Sequence, residues 1–127
     1  MKVYKFGFLV LAFFLIASCN KEVEVSPANL VGDWTHYHEL DNYFDGMRFM
    51  QNGEFFYTER YGYEKKVHVV NPNGEKYFYT TEDRKVSIFR KYEANNTDTL
   101  LRAFEIKTLT KGRLIEKQDD YMWKRED

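Results

Sequence analysis

Hydrophobic and polar positions along most of the chain fall into short runs that are separated by turn residues. The runs are rich in Tyr, Phe, Val and Thr, which favour strands, and none sustains the spacing of an amphipathic helix. The pattern predicts roughly eight or nine antiparallel strands. The predicted strands cover residues 30–40, 46–50, 55–61, 65–70, 75–80, 85–92, 99–108, 113–117 and 121–125.

Short turn signals connect the predicted strands. Both residues of Asn52-Gly53 tolerate the positive φ of a tight hairpin turn, and residues 71–74 (Asn-Pro-Asn-Gly) form a second signal. Consecutive strands with short links form a meander, which removes its free edges by closing on itself. The sequence therefore predicts an all-β fold: an antiparallel up-and-down β-barrel of about eight strands.

Alternation within the long strand near the carboxyl terminus indicates which side chains face the same way. Leu100, Phe104 and Ile106 have the same parity as Arg102. Side chains two apart on a strand share a face. We therefore expect these four side chains to lie together.

The amino-terminal segment has the organisation of a secretory signal. Lys2 and Lys5 precede an apolar run over 6–16, which small residues follow. A basic head, an apolar stretch of about 7–15 residues and small residues before the cut are the usual parts of a signal peptide. The run is shorter than the roughly 20 residues of a membrane span. We expect residues 1–18 to be a cleaved signal helix; the alternative is an uncleaved anchor.

Residues 15–19 (Leu-Ile-Ala-Ser-Cys) resemble the lipobox of bacterial lipoproteins. In that family the signal is cut before the cysteine, which carries fatty acyl chains such as palmitate. The resemblance implies that Cys19 is lipidated. Residues 19–29, which contain Pro27 and several charges, are predicted to form a tether, and residues 30–127 are predicted to form the barrel domain. Two or three acyl chains anchor a protein stably. Cys19 is the sole cysteine, so it forms no disulfide within the chain.

The residues after Cys19 bear on location. Asn20 gives no reason for retention at the inner membrane. Residues 21–24 (Lys-Glu-Val-Glu) resemble the signal that directs lipoproteins of Bacteroidetes-type bacteria to the cell surface, and depart from it at Val23, where a second acid is usual. The resemblance implies an outer-membrane lipoprotein exposed at the surface; the alternative for this segment is a solvated tether.

Residues 29–34 (Asn-Leu-Val-Gly-Asp-Trp) resemble the first-strand motif of lipocalins and of short lipocalin-like domains in bacterial lipoproteins. The resemblance extends over the predicted barrel. It implies that Gly32 permits a close backbone approach at the closed end, and that Trp34 caps the core there. It also implies that a basic side chain of the last strand stacks over the indole. Lys124 and Arg125 are both available, and the planar guanidinium of Arg125 is the better partner.

Charge and motifs restrict the function further. The formal charge is −1, with both signs interspersed, so the chain lacks the basic stripe that nucleic acid requires. It contains no nucleophile elbow, phosphate-binding loop or metal-protease motif. We therefore expect no enzymatic activity, no cofactor and no nucleic-acid partner.

Two histidines share the parity of the predicted capping tryptophan. If Trp34 points inward, His36 and His38 also face the interior, where a ligand or a Tyr or Glu side chain could satisfy them. Together with His68 they could instead bind Zn or Cu. Exposed or pore-lining histidines are the simpler interpretation, and we expect no metal site.

The sequence predicts a membrane-anchored, lipocalin-like lipoprotein that binds a small hydrophobic or amphipathic ligand. The candidate ligand-binding residues are His36, His38, Arg48, Phe49 and Phe104. The alternative is a filled barrel that serves as an envelope structural or protein-interaction module. An interior cavity of about 300 Å³ or more would favour the ligand.

Overall fold

Strands make up most of the chain that the structure describes. The computed structural model describes residues 21–92 and 97–126, so the predicted signal helix and Cys19 lie outside the described residues. Among the described residues, no helix has the length and apolar character needed to cross a membrane. The elements are α1 (Pro27–Leu30), β1 (Gly32–His38), β2 (Tyr43–Phe49), β3 (Glu54–Tyr61), β4 (His68–Val69), a 3₁₀ helix (Pro72–Gly74), β5 (Tyr77–Glu82), β6 (Lys85–Tyr92), β7 (Thr97–Leu109), β8 (Arg113–Glu116) and β9 (Met122–Glu126).

Eight of these strands close into an antiparallel barrel. The order around it is β1, β2, β3, β5, β6, β7, β8 and β9, and β9 pairs with β1 to complete the circle. The junction of β3 with β5 is short, consisting of the pairs Glu54–Phe78 and Phe55–Tyr77. The two-residue β4 lies beside the other end of β3. The prediction of an all-β, up-and-down antiparallel barrel of about eight strands is confirmed.

The predicted turn at Asn52-Gly53 joins β2 to β3. Gly53 has a φ of 91°, a conformation that glycine adopts without steric cost. The Asn52 side chain accepts a hydrogen bond from the Glu54 N–H at 3.0 Å. This turn lies at the same end of the barrel as the turns β5–β6 and β7–β8. We call this the closed end, and the opposite end the mouth.

The hydrophobic core fills the closed end. On β2, Met47 and Phe49 are fully buried, while Arg48 between them faces outward because successive side chains of a strand alternate. Trp34 is directly opposite Met47 on β1 and is buried as well. The other fully buried large side chains are Leu30, Phe55, Val86, Ile88, Ile106, Leu109 and Leu114.

A register shift between β6 and β7 changes one predicted orientation. Arg102 pairs with Ile88, but the next residue of β6, Phe89, pairs with Leu100. The extra residue on β7 reverses the alternation, so Leu100 faces outward and is 53% exposed. The prediction that Leu100 shares the face of Arg102 is therefore wrong, whereas Phe104 is buried on the inner face as expected.

The segment before β1 packs across the closed end, where a free tether was predicted. The Val23 N–H donates to the Leu109 carbonyl at 2.8 Å, and Val25 belongs to the buried core. Glu22 pairs with Arg84, beside the β5–β6 turn, at 2.9 Å. The segment packs because its two valines alternate with charged residues, and this alternation gives an extended segment one apolar face. We call residues 21–30 the basal strap.

Candidate functional site

The mouth of the barrel opens into a cavity of about 600 Å³. Its walls come from β2, β3, β5, β7, β8 and β9, together with the loops that precede β5 and β9. We call this space the mouth cavity. Its lining residues are Tyr43, Asp45, Gly46, Tyr57, Thr58, Val70, Pro72, Tyr77, Arg102, Glu116, Gln118, Asp119, Tyr121 and Trp123.

Aromatic rings form much of the cavity wall and hold one another in place. Tyr57 on β3 and Tyr77 on β5 meet edge to face, with ring centroids 5.9 Å apart. Tyr121 and Trp123 lie 5.2 Å apart. Contacts of this kind are worth about 0.5–1.5 kcal/mol beyond the burial of area. The rings therefore present apolar faces whose positions are set before any ligand arrives.

An ion pair forms the polar part of the cavity floor. Arg102 donates to one oxygen of Glu116 at 2.5 Å, and the indole Nε1 of Trp123 donates to the other at 2.7 Å. Glu116 is only 4% exposed. The guanidinium of Arg102 lies 4.7 Å from the ring centroid of Phe104. Both oxygens of Glu116 already accept a hydrogen bond. The N–H groups of Arg102 that do not bond to Glu116 are the donors that this floor offers to a ligand.

Carboxylates surround the outer part of the cavity. Asp45 and Asp119 line it, and the Tyr43 hydroxyl donates to Glu59 at 2.9 Å. Burial, followed by the hydrogen bond and charge of Glu59 and the charge of Asp45, raises the pKa of Tyr43 to about 12. Burial and nearby negative charge both disfavour a tyrosinate, so Tyr43 stays a hydrogen-bond donor to Glu59.

The two predicted histidines lie next to the mouth cavity, behind its lining. The His36 ring stacks on Tyr121 at 4.1 Å, and its Nδ1 lies 2.8 Å from the Met122 carbonyl. His38 Nε2 lies 3.2 Å from an oxygen of Asp45. Both therefore support lining residues, and each has a polar partner within the protein.

The other predicted ligand-binding residues lie away from the open space. Arg48 is on the outer face of the barrel, where it pairs with Asp33 at 2.6 Å. Phe49 is fully buried at the closed end, and Phe104 is buried beneath Arg102. None of the three lines the mouth cavity; the basic side chain that does so is Arg102.

Arg102 and Glu116 have different signals in the sequence. Arg102 has the parity of the apolar residues Phe104 and Ile106, which marks it as an inward-facing cation. Glu116 has the parity of Leu114, but a glutamate at the end of a strand is ordinarily solvated. Its burial depends on meeting Arg102 and Trp123 from the two neighbouring strands, which no local pattern encodes.

The described residues contain no group of three His, Cys, Asp or Glu side chains arranged to hold a metal ion. His68 lies on β4 and contacts Glu64 at 3.1 Å, in contrast to His36 and His38 on β1. The three histidines therefore do not come together as the alternative Zn or Cu site.

The predicted closed-end signature residues meet one another. The guanidinium of Arg125 lies 4.3 Å from the Trp34 ring and donates to the carbonyls of Asn29 at 2.6 Å and Lys111 at 2.7 Å. Gly32 has a φ of 130°, and a Cβ there would lie 2.9 Å from an Arg125 nitrogen. Arg125 thus joins the last strand, the β7–β8 turn and the basal strap.

Comparison of the chain with protein-family models, with curated proteins and with solved structures found no match. The class of the protein is therefore defined by its fold and its site alone. The protein is a small antiparallel β-barrel with a packed closed end and a mouth cavity that has aromatic walls and acidic surroundings.

Proposed function

We propose that this protein binds a small amphipathic molecule in its mouth cavity. The volume of about 600 Å³ carries the proposal, because ligand pockets are typically about 300–1,000 Å³. The alternative, a structural or protein-interaction module, requires a filled barrel. The described residues leave the mouth end of the barrel open, which favours the ligand.

The lining suits a ligand with both apolar and polar parts. Tyr57 and Tyr121 are partly exposed and offer apolar ring surface, while Arg102 and Asp45 offer a donor and an acceptor. Apolar walls with a few fixed polar groups are the usual composition of a binding pocket. We propose binding without catalysis, since the buried carboxylate of Glu116 is held by two hydrogen bonds.

The proposal also includes location: an outer-membrane lipoprotein anchored through an acylated Cys19. Support for its orientation comes from the basal strap, in which Val23 bonds to Leu109 and Glu22 to Arg84 at the closed end. An anchor a few residues earlier would hold the closed end near the membrane. The mouth would then face away from the bilayer, and the ligand would arrive from the aqueous side.

Native mass spectrometry of the purified protein tests the ligand. We expect a small molecule to co-purify with the native sequence and to be lost from Val70→Trp, which adds an indole to the cavity lining. Val69→Trp is the matched control, because Val69 is not a lining residue. Repeated recovery of empty protein, or equal occupancy in both variants, would count against the proposal.

Fatty-acid labelling tests the anchor. Cys19→Ser should abolish labelling and leave an uncleaved or mislocalised precursor, because a thiolate is the nucleophile that the acylation uses. Ser18→Ala keeps a small residue before the cut and should still be labelled. Labelling that persists in Cys19→Ser would refute the lipoprotein part of the proposal.

A further inference from the structure

We infer that the mouth cavity selects a cationic amphipath, such as an alkyl amine or a quaternary ammonium, over an anionic one with the same tail. This inference rests on the proposed ligand-binding function and adds the charge of the ligand to it. Two independent observations support it: the balance of charge around the cavity and the ring faces in its walls.

The charge balance is negative even though an arginine lines the cavity. Three carboxylates and one guanidinium are among the lining residues. Glu116 neutralises Arg102 at 2.5 Å and is itself buried. Asp45 and Asp119 remain as excess negative charges. An anionic headgroup would have to share Arg102 with Glu116 and would face both aspartates, so its binding is disfavoured.

The groups that face Asp45 do not remove its charge. His38 lies 3.2 Å away and, as a neutral imidazole, donates a hydrogen bond without neutralising the carboxylate. The adjacent Tyr43 hydroxyl donates to Glu59, a further carboxylate directly opposite Asp45 on β3. When His38 is uncharged, the negative charge of Asp45 therefore remains available to a ligand cation.

The aromatic walls favour the same sign of charge. Cations are attracted to the faces of Trp and Tyr rings, and quaternary ammonium groups are commonly bound in this way. Four rings line the cavity, of which Tyr57 and Tyr121 are partly exposed and Tyr77 and Trp123 are buried. A cationic headgroup can contact a ring face and a carboxylate together, while its alkyl tail fills the apolar part of the space.

Calorimetric titration with three probes tests the inference. The full-length Cys19→Ser protein is titrated at about pH 8 with octyltrimethylammonium, n-octanol and octanoate, each below its micelle concentration. The probes share one alkyl chain and differ in charge. We expect the Kd of the cation to be at least about tenfold lower than that of octanoate, which corresponds to about 1.4 kcal/mol. Added salt should reduce this preference.

Substitution of one carboxylate locates the selectivity. Asp45→Asn should weaken binding of octyltrimethylammonium severalfold and weaken binding of n-octanol by a smaller factor, so the preference for the cation falls. Asp83→Asn makes the same charge change at the closed end, where Asp83 has a positive φ that asparagine tolerates. This control should retain the preference for the cation.

The outcomes separate the two proposals. Octanoate binding as tightly as the cation overturns the charge inference and leaves ligand binding intact. A cation preference that survives Asp45→Asn, or is lost equally in Asp83→Asn, overturns the assignment to the cavity. Failure of all three probes to bind counts against the proposed function and, with it, against this inference.

Discussion

Arg102 and Glu116 form an ion pair at the level where the packed core ends and the mouth cavity begins. Glu116 is buried and also accepts the indole N–H of Trp123, so the pair connects β7, β8 and β9. Arg102 is the more exposed partner and reaches the open space. The same contact therefore contributes to the stability of the barrel and to the polarity of its cavity.

Breaking this ion pair from one side should destabilise the barrel. Arg102→Leu leaves the Glu116 carboxylate buried without its cation, and the usual cost of such a change is about 3–5 kcal/mol. We expect a value near the lower end of that range, because solvent in the mouth cavity partly screens the carboxylate. Urea unfolding followed by tryptophan fluorescence measures the change.

The double variant Arg102→Leu/Glu116→Leu is the control for this prediction. It removes both charges, so we expect it to recover much of the stability that Arg102→Leu loses, because replacing a buried pair by apolar groups is often neutral. Destabilisation that is simply the sum of the two single variants would show that the residues are not coupled.

A second prediction concerns the closed end. Gly32→Ala should cost about 1–3 kcal/mol, since its φ of 130° is strained for a residue with a Cβ and that Cβ would approach Arg125. Gly112→Ala is the matched control, because a Cβ there meets no atom within 4 Å. Thermal unfolding compares the two. Equal melting temperatures would remove the reason for glycine at position 32.

The closed end could be predicted from the sequence because its organisation is local. Alternation along β1 and β2 places Trp34 and Met47 inward and Arg48 outward, and the last strand needed only one basic residue of the correct parity, Arg125. A period of two was sufficient for the orientations on these strands, but not for the basal strap, which was predicted to be a tether and packs across this end. Arg48 and Phe49 were both predicted to contact the ligand, although consecutive residues of a strand face opposite sides of the sheet.

The mouth was harder to predict because its residues come from distant strands. The register shift that turns Leu100 outward depends on how β7 meets β6. Glu116 is buried because Arg102 and Trp123 reach it from the neighbouring strands β7 and β9. Such meetings depend on strand order, stagger and bulges, which the pattern of a single strand does not determine.

The basal strap gives a third prediction. Val25 is 7% exposed and belongs to the core cluster, so Val25→Ala should lower the free energy of unfolding by roughly 1–3 kcal/mol through the lost methyl groups and the space left behind. Val69→Ala provides the control, since Val69 is 47% exposed and should change stability by less than about 0.5 kcal/mol. Equal urea midpoints for the two variants would indicate that the strap is not packed.

The last prediction concerns alkaline pH and Tyr43. Its pKa is about 12 in the folded protein, chiefly through burial and the hydrogen bond to Glu59, against about 10 for an unperturbed tyrosine. A folded-state pKa above the unfolded value contributes stability that is complete below pH 10. That contribution is lost as the pH rises from about 10 towards 12, because the unfolded chain releases the proton first.

Tyr43→Phe should therefore reduce the steepness with which stability falls over this range, while other tyrosines maintain the remaining slope. Burial also raises the pKa values of Tyr57, Tyr77, Tyr79 and Tyr121. Urea unfolding at a series of pH values measures the slope for both proteins. Below about pH 9 their stabilities should differ by a constant amount, since Tyr43 is protonated in both the folded and the unfolded chain there. Identical slopes between about pH 10 and 12 would show that Glu59 and burial do not hold Tyr43 in its neutral form.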